Sequence, residues 1–515
     1  MRTGALAAVL VLAGPVVAGA TAPAVGPVVA GAAAAVTGPV VAGAAAPPAA
    51  AAAVAGPVVA GATAPAPTAA APGPGAAYWR GNGELAVISD GRLVLLDNDG
   101  HSHVVAGPGT PSQPSWSPDG KWVAFLRSPA HPPLGAPVPT LWTARLDGSD
   151  AHRVSAPGAD VTQFAWGPAP AAGGNGEALA FSTVSLPSYT PWDLYLATAS
   201  TPPRVFATYA GLIGFSWAPS GDALAVSYRA GPTDQPQAGK GFVEIVRLDG
   251  QAGRTVDTLA DNGYAELAGW WPDGKGLLLW NDPDGSASIA ADGLALDSLE
   301  LSPLKLRSLA TTLVYGNWVA WSPDGRTVAV VAGGDREIWY SGKHVELCAI
   351  PSANCRSVPL PSHDVMSLDP AWTAGGSLVY VLAPAVGTGL GRAPTATGTT
   401  TTGSGGPGSP GGPGGWDPSG PWSGQNVAAW YGAQRLFTAG PAGTGAHVLA
   451  GAGTGAHDPA VTSHGLLYVQ DGLLRYLPGD TGQPVAVAGG LQSPGTYANS
   501  FYGYIAWSED FAWHG

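Results

Sequence analysis

Trp116-Ser117-Pro118-Asp119-Gly120-Lys121-Trp122-Val123-Ala124-Phe125 is the stretch whose reading decides the architecture. Ser-Pro-Asp-Gly puts Pro at the second and Gly at the fourth position of a type I turn, and apolar runs flank it on both sides, as in a β-hairpin. Close copies start at Trp217, Trp270 and Trp321, and degenerate ones at Trp79, Trp166 and Trp372. From Trp116 to Trp372 the copies are 50, 51, 53, 51 and 51 residues apart. A period near 50 made of short strands and tight turns means small sheets repeated around an axis, because a helical repeat would carry a 3.6-residue pattern instead.

The expected fold is therefore an all-β propeller of four-stranded blades. After each Trp turn come three strands, for instance 122–127, 141–146 and 152–155, then 223–228, 242–248 and 254–259. Counting such triplets after residues 79, 116, 166, 217, 270, 321, 372 and 461 gives eight blades, with seven as the alternative. The copy at Val461 rests on Asp458-Pro459-Ala460-Val461-Thr462, which matches Asp369-Pro370-Ala371-Trp372-Thr373. Residues 502–507 read as a leftover inner strand that completes the first blade, so the C-terminal strand is expected to close the ring.

The unit resembles the TolB-type propeller repeat, a relative of the WD repeat, over residues 78–515; the full Trp-Ser-Pro-Asp-Gly signature stands only at Trp116 and Trp321. The resemblance implies a partner-binding platform. Propellers of this type also serve as enzyme lids and occasionally as enzymes, so function has to be argued from a site. Prolyl-oligopeptidase-like enzymes carry similar propellers, but with a catalytic α/β domain outside the ring that no stretch of this sequence could encode.

Composition agrees with many turns and short strands. Among 515 residues, Gly (76) and Pro (50) are abundant, and 45% of residues are hydrophobic, including 19 Trp, which is ample material for a core. Only 11% are charged, the net charge is −13, and no basic patch points to nucleic acid. Residues 1–20 have the layout of a signal peptide: Arg2, an apolar run too short to span a membrane, then Ala18-Gly19-Ala20. Residues 21–77 are an Ala/Pro/Gly-rich low-complexity segment, read as a flexible tether. The expected protein is a secreted or extracytoplasmic monomer, with association to the cell envelope as the further option, and with no transmembrane span after cleavage. A Gly/Thr/Ser/Pro-rich run at about 384–424 interrupts one blade and is read as a disordered insertion.

Cys348 and Cys355, the only cysteines, flank a predicted turn between neighbouring strands, and in an exported chain they are expected to pair as a disulfide. Asp119, Asp273 and Asp324 recur in the Trp turns and are read as turn caps rather than metal ligands or acids. They do not match the sialidase Asp-box. No Gly-x-Ser-x-Gly, His-Glu-x-x-His or phosphate-binding Gly-rich loop occurs, so the reading contains no catalytic residue, no metal ligand and no cofactor.

Loop lengths single out one face. The loops 128–140, 230–241, 332–344 and 383–424 lie on the face where the inner strands start, and variable loops on a rigid scaffold usually carry function. Residues just before each Trp ring the channel mouth on that face. The binding candidates are Gln113, Gln163, Trp318, His363, Asp364, Asp369, His457, Asp458 and Tyr504. Two functions follow: a non-catalytic exported platform for a protein or glycan of the cell envelope, or an extracellular enzyme acting on carbohydrate or another small substrate with Asp369 and Asp458 as paired acids.

Overall fold

A computed structural model describes residues 79–129, 139–156, 159–168, 178–184, 192–230, 239–340, 342–385, 424–479, 482–491 and 503–515. Residues 1–77, read from the sequence as a signal peptide and tether, and nearly all of the run at 384–424 read as an insertion fall outside these residues. Eight antiparallel four-stranded sheets follow one another along the chain. In seven of them the strands lie in chain order. The first is completed from the far end of the chain, Phe511–His514 pairing with Glu84–Ser89. The molecule is an eight-bladed β-propeller closed by its C-terminal strand.

That closing strand lies later than the sequence suggested. Residues 503–507 are not an inner strand, and residue 502 lies outside the described residues: Trp507–Glu509 is a 3-10 turn, and the closing strand begins at Phe511. Blades are numbered here from the sheet containing Glu84–Ser89.

The second strand of each blade explains the apolar runs. Trp122–Ser128 and Ala178–Val184 are buried almost throughout, because such a strand is covered on both faces by neighbouring blades. Outer strands face solvent, as in Leu304–Thr312. Hydrophobic clusters sit between blades: Ala86, Leu93 and Leu95 of blade 1 pack with Trp116, Val123 and Phe125 of blade 2.

The motif tryptophans add a directional bond to this packing. The indole Nε1 of Trp166 donates to Ser115 O (3.0 Å), Trp217 to Ala165 O (3.1 Å), Trp270 to Ser216 O (3.1 Å) and Trp372 to Ala320 O (3.2 Å). Each acceptor is the residue before a motif Trp of the preceding blade. Trp116 donates to Ala512 O (3.1 Å), which makes Trp513 the motif tryptophan of blade 1. Trp79, read in the sequence as a degenerate copy, instead donates to Gly83 O and packs edge-on against Tyr476 of blade 8.

The Trp turns close as expected. Ser117 Oγ donates to Asp119 Oδ1 (2.7 Å), which also accepts from Lys121 N, and Ser322, Asp324 and Arg326 repeat the arrangement. Cys348 and Cys355 face each other across adjacent strands of blade 6 and form a disulfide. Glu346 lies beside the two sulfurs, but thiols spent in a disulfide are not metal ligands.

Candidate functional site

The inner strands carry a repeated irregularity. In blades 2, 3, 4, 5, 7 and 8 one extra residue is inserted opposite the second strand, two to four positions before the motif residue. Such a bulge re-aims a side chain. Gln113, Asp369 and Asp458 occupy it with φ of 52°, 48° and 48°, each followed by Pro. Asp tolerates this left-handed backbone better than most residues, because its short polar side chain can bond locally. In blade 6 the 3-10 turn Gly316–Trp318 stands in the same place before a short inner strand, Val319–Trp321.

Blades 6, 7 and 8 bring Trp318, Asp369 and Asp458 to one cavity, whose other walls are Asn317, Ile338, Leu368, Trp430, Tyr431, Gln434, Tyr504 and Ile505. Its volume is about 10 Å³, room for roughly one water-sized sphere. Asn317 Nδ2 donates to Asp369 Oδ1 (3.0 Å), and Tyr504 Oη donates to Asn317 Oδ1 (3.0 Å). The Trp318 side chain also bonds the Asp369 carboxyl. His457 Nδ1 lies 2.9 Å from Asp458 Oδ2, with both side chains buried.

Burial decides the charge states. It raises Asp369 well above the usual carboxylate range, and the neighbouring Asp458 charge raises it further. Burial also pushes Asp458 up to about 8 and His457 down to about 3. The close His457–Asp458 contact is therefore a hydrogen bond between neutral groups at neutral pH rather than an ion pair, since neither partner is solvated well enough to hold its charge.

The sequence placed these residues on an open rim. The structure buries them under a lid built from segments outside the repeat. Helix α2 (Gly424–Gly432), in the loop between the second and third strands of blade 7, brings in Trp430 and Tyr431; the helix numbered α1 is the short Ala287–Asp292 in blade 5. Trp339, from the corresponding loop of blade 6, packs against Trp430. Residues 503–510 then cross the channel mouth. Tyr504 stacks on Tyr315 at 3.8 Å, Tyr431 Oη donates to Gly503 O, Trp507 packs on His457, Glu509 bonds Gln113 of blade 2, and Ile88 N of blade 1 donates to Asp510 O. Gly503, at φ 90°, lies so close to the Trp339 ring that any side chain there would collide with it.

Of the nine sequence candidates, Trp318, Asp369, Asp458 and Tyr504 line the cavity and His457 lies directly behind it. Gln113 meets the crossing segment instead. Gln163 bridges two blades, donating to Phe215 O and accepting from Phe215 N, so both ends of its amide are engaged in packing. His363 and Asp364 are exposed in the loop before Val365–Trp372 and do not join the cavity. Sequence reasoning missed Asn317, Gln434, Trp430 and Tyr431. The neighbouring Asn317 of Trp318 was a readable signal; the residues of helix α2 have no repeat position to mark them.

No protein-family model matches the chain, and no curated protein is similar to it in sequence. Solved structures similar to it include TolB from Acinetobacter baumannii, at 14% identity over 54% of this chain and 64% of that one (TM-score 0.35). Prolyl oligopeptidase B from Galerina marginata is similar at 11% identity over 74% of this chain and 51% of that one (TM-score 0.46). An oligogalacturonate lyase in complex with manganese is similar at 14% identity over 56% and 79% (TM-score 0.37). The chain thus spans less than two thirds of that TolB and about half of the oligopeptidase. By its own ring and its Trp-turn repeat it is an eight-bladed propeller with TolB-like blades. Among the described residues no helix is long and apolar enough to cross a membrane.

Proposed function

We propose that this protein is a non-catalytic binding platform working outside the cytoplasm, with a protein or glycan of the cell envelope as its partner. The observation that carries the reading is the covered channel mouth: Trp430, Tyr431, Tyr504 and Ile505 leave about 10 Å³ beside the only paired acids of the candidate list. A sugar ring or a peptide does not fit such a space. Binding then falls to the outer surface of the long-loop face, where His363 and Asp364 stand exposed beside residue 385. The signal-like N-terminus and the Cys348–Cys355 disulfide support a place outside the cytoplasm.

The enzymatic alternative draws on one specific observation, that Asp369 and Asp458 share a cavity and are both raised by burial, as acid catalysts often are. It requires residues 503–510 and helix α2 to move aside. One experiment separates the two readings. The chain is used to capture proteins from an envelope extract and applied to a glycan array, and polysaccharides are assayed in parallel for new reducing ends. Capture that is lost on replacing His363 and Asp364 by Ala, and kept on replacing the turn acids Asp119 and Asp324, supports the platform. Turnover abolished by Asp369→Asn would overturn it.

A further inference from the structure

The cavity between blades 6, 7 and 8 holds two carboxyls and no cation. Asp369 and Asp458 both line its space of about 10 Å³, which has no room for the water that would hydrate two charges. Neither Lys nor Arg is among the described residues of its lining, and the His457 imidazole beside Asp458 is itself kept neutral by burial. Two carboxylates that face one dry space without a counter-charge cannot both ionise without a large penalty, so the pair retains a proton while the space stays closed. The hydrogen bonds leave a place for that proton. Tyr504 Oη donates to Asn317 Oδ1, Asn317 Nδ2 to Asp369 Oδ1, Tyr431 Oη to Gly503 O and Trp430 Nε1 to Pro384 O, and the Trp318 side chain also bonds Asp369. The protons not so engaged are the second one on Asn317 Nδ2, those on Gln434 Nε2 and those of the carboxyls. Gln434 Oε1 is buried without a donor, and its own amide cannot serve it. A carboxylic acid O–H is a donor of the kind this oxygen lacks.

We propose that these groups form a proton-operated latch: while Asp369 and Asp458 keep a proton between them they hold helix α2 and residues 503–510 shut over the channel mouth, and when alkaline conditions strip the pair the mouth opens to water. The covering segments are tied to the pair. Gln434 follows helix α2 and is fixed to it by its N–H on Tyr431 O, Tyr504 reaches Asp369 through Asn317, and Trp507 packs on His457 next to Asp458. Burial raises Asp458 to about 8 and Asp369 well above the ordinary range. A carboxyl so raised keeps its proton in the closed form and loses it in the open, hydrated one. Closure is therefore most stable below the ordinary carboxylate range and weakens as pH climbs from there through about 8. The other titratable groups around the pair come from each covering element. Tyr431 of helix α2 and Tyr504 of the crossing segment, on which Tyr315 of blade 6 stacks, are raised well above their ordinary range by burial and stay neutral in this window. His457 is neutral, with Asp471 behind it. Glu509, beside Asp510 in the crossing segment, is pushed up to about 7 by burial and adds to the effect with the same sign. Lys343, in the loop that carries Trp339, has the opposite sign, and its contribution grows only above about 8. The latch is independent of the platform reading, since His363 and Asp364 do not join the cavity in the first place.

Hydrogen exchange on the full chain tests the latch. Amides of residues 505–510, among them Ile505 N on Tyr431 Oη and Asp510 N on Trp507 O, are protected by the closed mouth. Their protection, corrected for the intrinsic rise of exchange with pH, should fall at least about tenfold between about pH 6 and about pH 8, since each proton released on opening adds up to about tenfold per pH unit. Amides of the blade 2 strand Trp122–Ser128 should keep theirs. Infrared spectra of the wild-type chain should carry a protonated-carboxyl C=O band near neutral pH, and Asp369→Asn with Asp458→Asn should reduce it. Asp458→Asn alone, which cannot ionise and still bonds His457, should keep residues 505–510 protected to higher pH. The double variant should leave only the smaller fall owed to Glu509, which Glu509→Gln removes. The decisive measurement needs no variant: wild-type protection over 505–510 that stays level from about pH 5.5 to about pH 9 overturns the proposal. A fall that persists undiminished in a folded double-Asn variant, or that vanishes entirely in Glu509→Gln alone, places the titrating group elsewhere and overturns it equally.

Discussion

Ending the chain after Asp510 should prevent the ring from forming. The truncation removes the pairings of Val87 with Phe511, Ala86 with Ala512, Leu85 with Trp513 and Glu84 with His514. At about 1 kcal/mol net for each hydrogen bond this ladder contributes roughly 4 kcal/mol. Phe511, buried in the core, adds about 2 kcal/mol. The bonds from Trp116 Nε1 to Ala512 O and from Trp513 Nε1 to Asn82 O add about 2 kcal/mol more. The loss of about 8 kcal/mol is of the size of a whole domain's stability, commonly about 5–15 kcal/mol, and it bares the edge of Glu84–Ser89 to pairing with other chains. Denaturant unfolding followed by tryptophan fluorescence, with size-exclusion chromatography alongside, should show aggregation and no cooperative monomer transition. Trp513→Phe, which keeps the ring but loses the indole bond, should fold and cost about 1 kcal/mol. A truncated monomer that unfolds cooperatively within about 1 kcal/mol of the full chain would refute the closure argument.

Other perturbations have equally definite outcomes. Denatured, unreduced protein should titrate no free thiol, and replacing Cys348 and Cys355 by Ala should cost about 2 kcal/mol, the loop-closure value for so short a bridge. Asp324→Ala should cost about 1 kcal/mol at neutral pH. The Ser322 hydroxyl and Arg326 N–H hold this carboxyl below its usual range, so its contribution is present above the ordinary carboxylate pKa and should vanish as pH falls through the lowered value, where melting curves of variant and wild type converge. Lys343 is fully buried, and burial lowers it to about 8. The unfolded chain therefore holds that proton more tightly, and stability should rise as pH climbs from 8 toward 10.5; Lys343→Met should flatten that rise in pH-dependent melting. Gly503→Ala should cost about 2–4 kcal/mol, from the positive φ and the collision with Trp339, and should raise tryptophan accessibility to acrylamide. Excising 387–415, a stretch almost without apolar side chains, should leave the melting midpoint nearly unchanged.

The ring was legible because its determinants are local and repeated. Pro and Gly at fixed turn positions, and a Trp every 50 or so residues, recur often enough to be counted even when one copy reads Val461. The disulfide was legible for the same reason, both cysteines lying in one hairpin. Trp513 escaped because its turn partner belongs to the other end of the chain: the blade it serves begins 430 residues earlier, and no Ser-Pro-Asp-Gly follows it. The inward position of Asp369 and Asp458 could be read from their place before the motif residue, but their burial could not. It depends on Trp339, Trp430, Tyr431 and Tyr504, which come from three segments outside the repeat and meet only after the blades have assembled. Periodicity says nothing about such segments, because they are packed by shape against a surface that exists only in the closed ring.

The indole bonds between blades have a direction, each tryptophan reaching back to a carbonyl made earlier on the ribosome, with one exception. Trp166 through Trp372 can secure their bonds as soon as they emerge, since the acceptors at Ser115, Ala165, Ser216 and Ala320 are already synthesised. Trp116 must wait for Ala512, nearly four hundred residues further on. A nascent chain can thus zip its middle blades in order while blade 1 lacks its inner strand until residues 511–514 have been made. A stop codon or proteolytic nick shortly before residue 511 leaves an almost complete but unlatched propeller, and selection against such lesions should be correspondingly strict.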